Sequence, residues 1–111
     1  MTLDNVPVAV IEFEEDQKFI LVELAFGESI KLVLRTGKRY CEHKDIFEDL
    51  DRELKGSGIT KVCKGGGRIL ARAEQKTIVL RSDSIRYGKE RRSDTISLLQ
   101  GAYPDFKVEE G

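Results

Sequence analysis

Apolar positions in the first third of the chain come in short blocks that suit strands. Val6-Pro7-Val8-Ala9-Val10-Ile11 reads as one strand, with Pro7 near its start, where a missing amide donor is tolerable. Phe19 to Leu24 and Ile30 to Leu34 are the next two apolar runs, and Phe26-Gly27-Glu28-Ser29 joins them as a hairpin. From about Cys41 to Lys55 the period changes. Ile46, Phe47, Leu50 and Leu54 recur at helical spacing, Glu48, Asp49, Asp51, Arg52 and Glu53 take the other face, and Gly56 and Gly58 stop the helix. Beyond it, Ile59 to Cys63, Arg68 to Ala73 and Thr77 to Arg81 read as strands, with Glu74-Gln75-Lys76 connecting the last two. Ser84-Ile85-Arg86-Tyr87-Gly88 reads as a loop. A second helix runs from about Ser93 to Ala102 on Ile96, Leu98 and Leu99, Pro104 closes it, and Phe106-Lys107-Val108 is a last edge strand. The order predicts an α+β fold, a small mixed or antiparallel sheet of about six strands flanked by two helices. Periodicity does not give the strand order.

At 111 residues and 40% hydrophobic, the chain fits one domain over residues 1–111. No repeat, linker or low-complexity stretch divides it. The longest uncharged stretches are far shorter than a membrane span, and Met1 to Val10 lacks the basic and apolar regions of a signal peptide, so the expectation is a soluble, cytoplasmic protein. In that compartment Cys41 and Cys63 are expected as thiols. The net charge of −1 conceals a polarity: residues 12 to 28 are mostly acidic, whereas Arg81, Arg86, Lys89, Arg91 and Arg92 crowd one segment. That patch suits either an anion or a solvated face. A nucleic-acid partner is not expected, because the chain lacks an overall excess of Lys and Arg.

His43 is the only histidine, and so the first candidate for proton chemistry near neutral pH. A packing role is the alternative. Gly65-Gly66-Gly67-Arg68 suits a phosphate, since three residues without Cβ let successive N–H groups converge on an anion beside a guanidinium. It equally suits a glycine-rich turn between strands. It is no nucleotide P-loop, because the Gly-Lys-Ser/Thr ending is missing. Cys63 precedes Arg68 by four intervening residues where the cysteine phosphatases place five, which points to a strand thiol rather than a nucleophile. Cys41, Glu42 and Asp45 near His43 have no metal-ligand spacing, and no nucleophile elbow supports a serine triad.

Taken in order, His43-Lys44-Asp45-Ile46, Gly65-Gly66-Gly67-Arg68-Ile69, Ser84-Ile85-Arg86-Tyr87-Gly88 and Tyr103-Pro104-Asp105 resemble the motifs of the phosphohistidine phosphatase, or Janus/Ocnus, family. The resemblance covers almost the whole chain. Lys18 before Phe19-Ile20-Leu21 resembles the family's lysine at the start of an early strand, and Arg35 matches its arginine eight positions before the histidine. Two positions depart from the pattern: Glu42 stands where a tyrosine is expected, and Arg86 where a small residue is expected.

The resemblance implies a small sheet flanked by two helices and hydrolysis of the P–N bond of phosphohistidine, and possible action on phospholysine, without a metal or other cofactor. It implies His43 as catalytic base. Lys18, Ser84, Ile85 and Arg86 would contact the phosphate, in part through backbone amides, while Arg35 and Arg68 shape and charge the site and Gly65, Gly66 and Gly67 form a supporting loop. The implied partners are phosphohistidine-containing proteins or peptides, met by a monomer with no membrane or nucleic-acid partner. A non-catalytic phosphoprotein-binding member of the family is the alternative.

Overall fold

Four consecutive apolar residues, Phe19-Ile20-Leu21-Val22, are all buried, which a strand allows only when both of its faces are covered, because successive side chains point to opposite sides. In the computed structural model, which describes residues 2–37 and 42–111, they form the middle of β2 (Asp16–Phe26). The other strands are β1 (Ala9–Val10), β3 (Ser29–Thr36), β4 (Thr60–Arg72), β5 (Thr77–Arg81) and β6 (Lys107–Glu110). Among the described residues these six form one sheet in the order β1-β3-β2-β4-β5-β6. The outer pairs β1–β3 and β5–β6 are parallel and the three inner pairs antiparallel, so the sheet is mixed. The expected α+β architecture, two helices flanking about six strands, is the one found.

The helices cover opposite faces. α1 (His43–Glu53) packs Ile46 and Leu50, with Leu54 just beyond its end, on Ile20, Val22, Leu24 and Val33. α2 (Arg92–Ala102) packs Leu99, Ile96 and Leu98 over Phe19, Leu34, Ile69, Ile78, Leu80 and Val108. α1 begins where the Asp45 carboxylate accepts the Glu42 N–H at 2.9 Å, closing the first turn from the side. No helix among the described residues is long and apolar enough to cross a membrane.

The β2–β3 hairpin closes through Gly27-Glu28, between the paired Phe26 and Ser29, and Gly27 takes φ 61°, which a two-residue loop requires. The first strand is shorter than the run Val6–Ile11 predicts. A 3₁₀ turn at Leu3–Asn5 precedes it, and side chains occupy the carbonyls a ladder would have used: Lys31 Nζ donates to Leu3 O and Val6 O, and Arg35 Nη1 to Pro7 O. The predicted helix start at Cys41, and that residue's thiol state, lie outside the described residues.

The largest difference concerns Gly65, Gly66 and Gly67. They form no loop; Ile59–Cys63 and Arg68–Ala73 merge into the single strand β4, with the glycines inside it. The register against β2 shifts by one between Leu21 and Val22, leaving Lys64 as the extra residue of a bulge. Glycine is needed here for close approach on both faces. A Cβ on Gly66 would meet the Phe19 carbonyl and, at 3.1 Å, the His43 ring; one on Gly65, at φ 136°, would meet the Glu90 amide. One on Gly67 would lie 2.5 Å from the Arg81 carbonyl oxygen.

Two alanine substitutions should therefore have opposite signs. Gly67→Ala must displace backbone and is expected to lower stability by about 1–3 kcal/mol, whereas Gly101→Ala, in α2 with open space around it, is expected to raise it by up to about 1 kcal/mol. Urea titration of each variant checks both.

Candidate active site

His43 is the first residue of α1, and its ring is carried over β4 at the glycine run. Its Nε2 lies 3.0 Å from Gly67 O. A carbonyl oxygen only accepts, so Nε2 carries the proton and donates it. Of the two neutral tautomers only the Nε2–H form fits, which leaves the lone pair on Nδ1.

The ring forms part of the wall of a cleft of about 410 Å³. Lys18 from β2, Arg68 from β4 and Ile85 and Arg86 from the loop after β5 line the same cleft, so four of the predicted site residues gather there with His43. Lys18 Nζ pairs with Glu42 Oε2 at 3.5 Å, and Arg68 Nε with Asp16 Oδ1 at 3.3 Å, while Asp16 also bonds Arg81. Among the described lining residues, Lys18, Lys44, Arg68 and Arg86 face the two carboxylates of Glu42 and Asp83, so the wall carries an excess of positive charge that suits an anion.

Ser84 is buried and acts from behind the wall. Its Oγ accepts the Tyr87 N–H at 3.0 Å, and its backbone exchanges hydrogen bonds with Gly88, at 2.8 Å from Gly88 N and 3.3 Å to Gly88 O. Gly88 O also accepts the Gly66 N–H at 3.0 Å, which latches the turn 84–88 to β4. The N–H groups of Ile85 and Arg86, at the tip, take no part in these bonds. Ile85 is fully exposed there, and the Arg86 guanidinium stands over the Tyr87 ring.

Arg35 is not among the residues that line the cleft. It is buried on β3, where Nη1 donates to Pro7 O at 2.8 Å and Leu34 O at 3.0 Å, and Nη2 meets Glu53 Oε2 at 3.5 Å. Burial lowers its pKa, and the Glu53 carboxylate partly opposes that shift. Its guanidinium ties the N-terminal segment to the last turn of α1. The glycines give the His43 ring and the chain at Glu90 room to approach β4, and the Gly66 N–H is already taken by Gly88 O.

Sequence reasoning missed Lys44, Ser82 and Asp83, which also line the cleft. Lys44 follows His43 in the first turn of α1, so its neighbour was the available signal. Ser82 is placed by a left-handed backbone, φ 61°, where the chain leaves β5, and no residue pattern announces that. Cys63 is half-buried against the α1-side core, and burial, with the Glu90 charge, pushes its thiol pKa up. Among the described residues, His, Cys, Asp and Glu do not gather into a group of three that could ligate a metal.

Known proteins resemble the chain along most of its length. The chain is 35% identical over 114 residues to the sex-regulated protein janus-A of Drosophila pseudoobscura pseudoobscura, covering 96% of this chain and 76% of that one. It is 32% identical to janus-A of Drosophila melanogaster (96% and 80%), and 29% identical to the 14 kDa phosphohistidine phosphatase of Sus scrofa (96% and 90%). The Janus/Ocnus family model matches residues 3–107. A match over nearly the whole chain places it plainly: the protein belongs to the Janus/Ocnus family.

Proposed function

We propose that the protein is a phosphohistidine phosphatase acting on phosphohistidine-containing proteins or peptides, with His43 as general base. The observation that carries this reading is the His43 Nε2–Gly67 O hydrogen bond, which leaves the imidazole lone pair on Nδ1 in a residue that lines a cationic cleft. The name of the Sus scrofa relative supports the substrate class.

The chemistry follows from the groups on the wall. Water attacks phosphorus, and His43 Nδ1 removes its proton as the O–P bond forms. The P–N bond breaks with its electron pair going to the departing nitrogen, which water protonates, and the imidazolium of His43 returns its proton to solvent. Phosphoryl transfer asks mainly for positioning and charge neutralisation. Lys18, Arg68 and Arg86 supply the charge, with Lys44 beside them, and the N–H groups of Ile85 and Arg86 supply fixed dipoles, so no further cation is required by this scheme. Arg35 serves only by holding the framework.

Cys63 is no rival nucleophile, because a thiol with a raised pKa offers little thiolate at neutral pH. A second reading, a binding protein without turnover, is favoured by one observation: Glu42 already neutralises Lys18, leaving less charge for a transferring phosphoryl group.

Release of phosphate from a phosphohistidine peptide, measured with a chelator present, separates the readings. Turnover by the wild-type protein that falls by about 10²-fold or more in His43→Ala is expected; peptide binding without turnover would leave the binding reading. Glu42→Gln should free Lys18 and lower KM, by no more than about fivefold because the pair is solvent-exposed. Cys63, followed by peptide mapping after iodoacetamide treatment, should react more slowly than a free cysteine at pH 8 and gain reactivity only at higher pH. Rapid labelling at neutral pH would contradict the burial argument.

A further inference from the structure

Behind the turn 84–88 lies a charge pair that the chemistry above does not use. Arg92, at the start of α2, and Glu90 are both buried, their side chains 6% and 0% exposed. The contact is two-pronged, Arg92 Nε to Glu90 Oε2 at 3.1 Å and Nη2 to Oε1 at 3.2 Å. Thr95 Oγ1 donates to the same carboxylate. The guanidinium does more than neutralise Glu90. Its Nη2 also donates to Ser82 O at 2.8 Å, Nη1 lies 3.5 Å from Glu110 Oε2, and its plane stands over the Phe19 ring at 5.6 Å, next to Lys18 in sequence.

The placement has a consequence for the cleft. Ser82 is where the chain leaves β5, in a left-handed conformation unusual for a residue with a Cβ, and Glu90 is where it comes back against Gly65 of β4 before α2. One guanidinium therefore grips both ends of the segment that carries Ile85 and Arg86. Stability alone accounts poorly for such a pair, because replacing two buried charges by apolar groups of similar size is often neutral or favourable. A fixed geometry accounts for it better: the fork meets a carboxylate and a carbonyl at once, which one ammonium would not reproduce.

We propose that the Glu90–Arg92 pair is the positioning device of the phosphate-binding turn, holding Ile85 and Arg86 at a set height over His43. The inference rests on the proposed function in taking that turn as the phosphate contact. Neither residue is among those that line the cleft.

The test separates position from stability. Arg92→Met leaves Glu90 buried and unpaired and is expected to unfold at lower temperature. The double variant Glu90→Leu/Arg92→Met removes both charges and is expected to recover most of that loss, yet to lose the grip on Ser82. Binding of inorganic phosphate, followed by NMR at the Ile85 and Arg86 amides, should weaken by about tenfold or more in the double variant. Exchange of the Gly66, Tyr87 and Gly88 amides, which close the turn, should quicken by a similar factor without any ligand. Arg92→Lys should fall between. A folded double variant with wild-type phosphate affinity and wild-type amide protection overturns the proposal. Absence of phosphate binding in the wild-type protein would instead sink the reading of the turn as a phosphate contact, while the exchange rates would still decide whether the pair holds it.

Discussion

The whole arrangement depends on a stretch of strand that has no side chains. At Gly65, Gly66 and Gly67, β4 is approached from one face by the His43 ring and from the other by the chain around Arg81, Ser82 and Glu90. Elsewhere the sheet is covered at the distance that leucine and isoleucine side chains impose. Here a backbone is met by an imidazole on one side and by another backbone on the other, and those contacts deliver both the Nε2 hydrogen bond and the latch from Gly66 N to Gly88 O. Imidazole and turn belong to elements far apart in sequence. The glycine run is the surface on which they share a frame.

Charge in this protein is sorted by depth. The exposed pairs, such as Arg52 with Asp49, sit in solvent and contribute little. The buried ones hold chain segments: Arg35 gathers Pro7, Leu34 and Glu53, and Arg92 gathers Ser82, Glu90 and Glu110. Each planar fork reaches several acceptors, as a guanidinium can and an ammonium cannot. Between these two layers lies the cleft, where the cations of the wall, half-covered at Lys18 and open at Arg86, are left for a ligand.

Much of the fold was legible because burial leaves a period. The run Phe19–Leu24 is uniformly apolar since both its faces are covered, and Ile46, Leu50 and Leu54 mark a single face of α1. What periodicity could not give was the meaning of the glycines, since an absent Cβ serves a turn, a bulge or a close approach alike. Of the residues the resemblance singled out, Lys18, Arg68, Ile85 and Arg86 line the cleft with His43, and Arg35 does not. Spacing along a chain does not tell where a side chain ends: Arg35, paired with Ile20, shares the face that His43 covers, but its guanidinium is taken up by Pro7, Leu34 and Glu53. Lys44, Ser82 and Asp83 enter the cleft through the helix start and through a backbone reversal, neither of which leaves a repeating signal.

The partner that orients His43 is a main-chain oxygen rather than a carboxylate. Any residue at position 67 would bring the same carbonyl, so no exchange of side chain deletes the acceptor; it can only be moved, by shifting the strand itself. Orientation of the imidazole is thus inherited with the sheet. In a lineage of this fold, the imidazole can vanish by replacement of the histidine or be displaced by a bulkier residue in the glycine run, but it cannot be left in place and turned round by losing a helper.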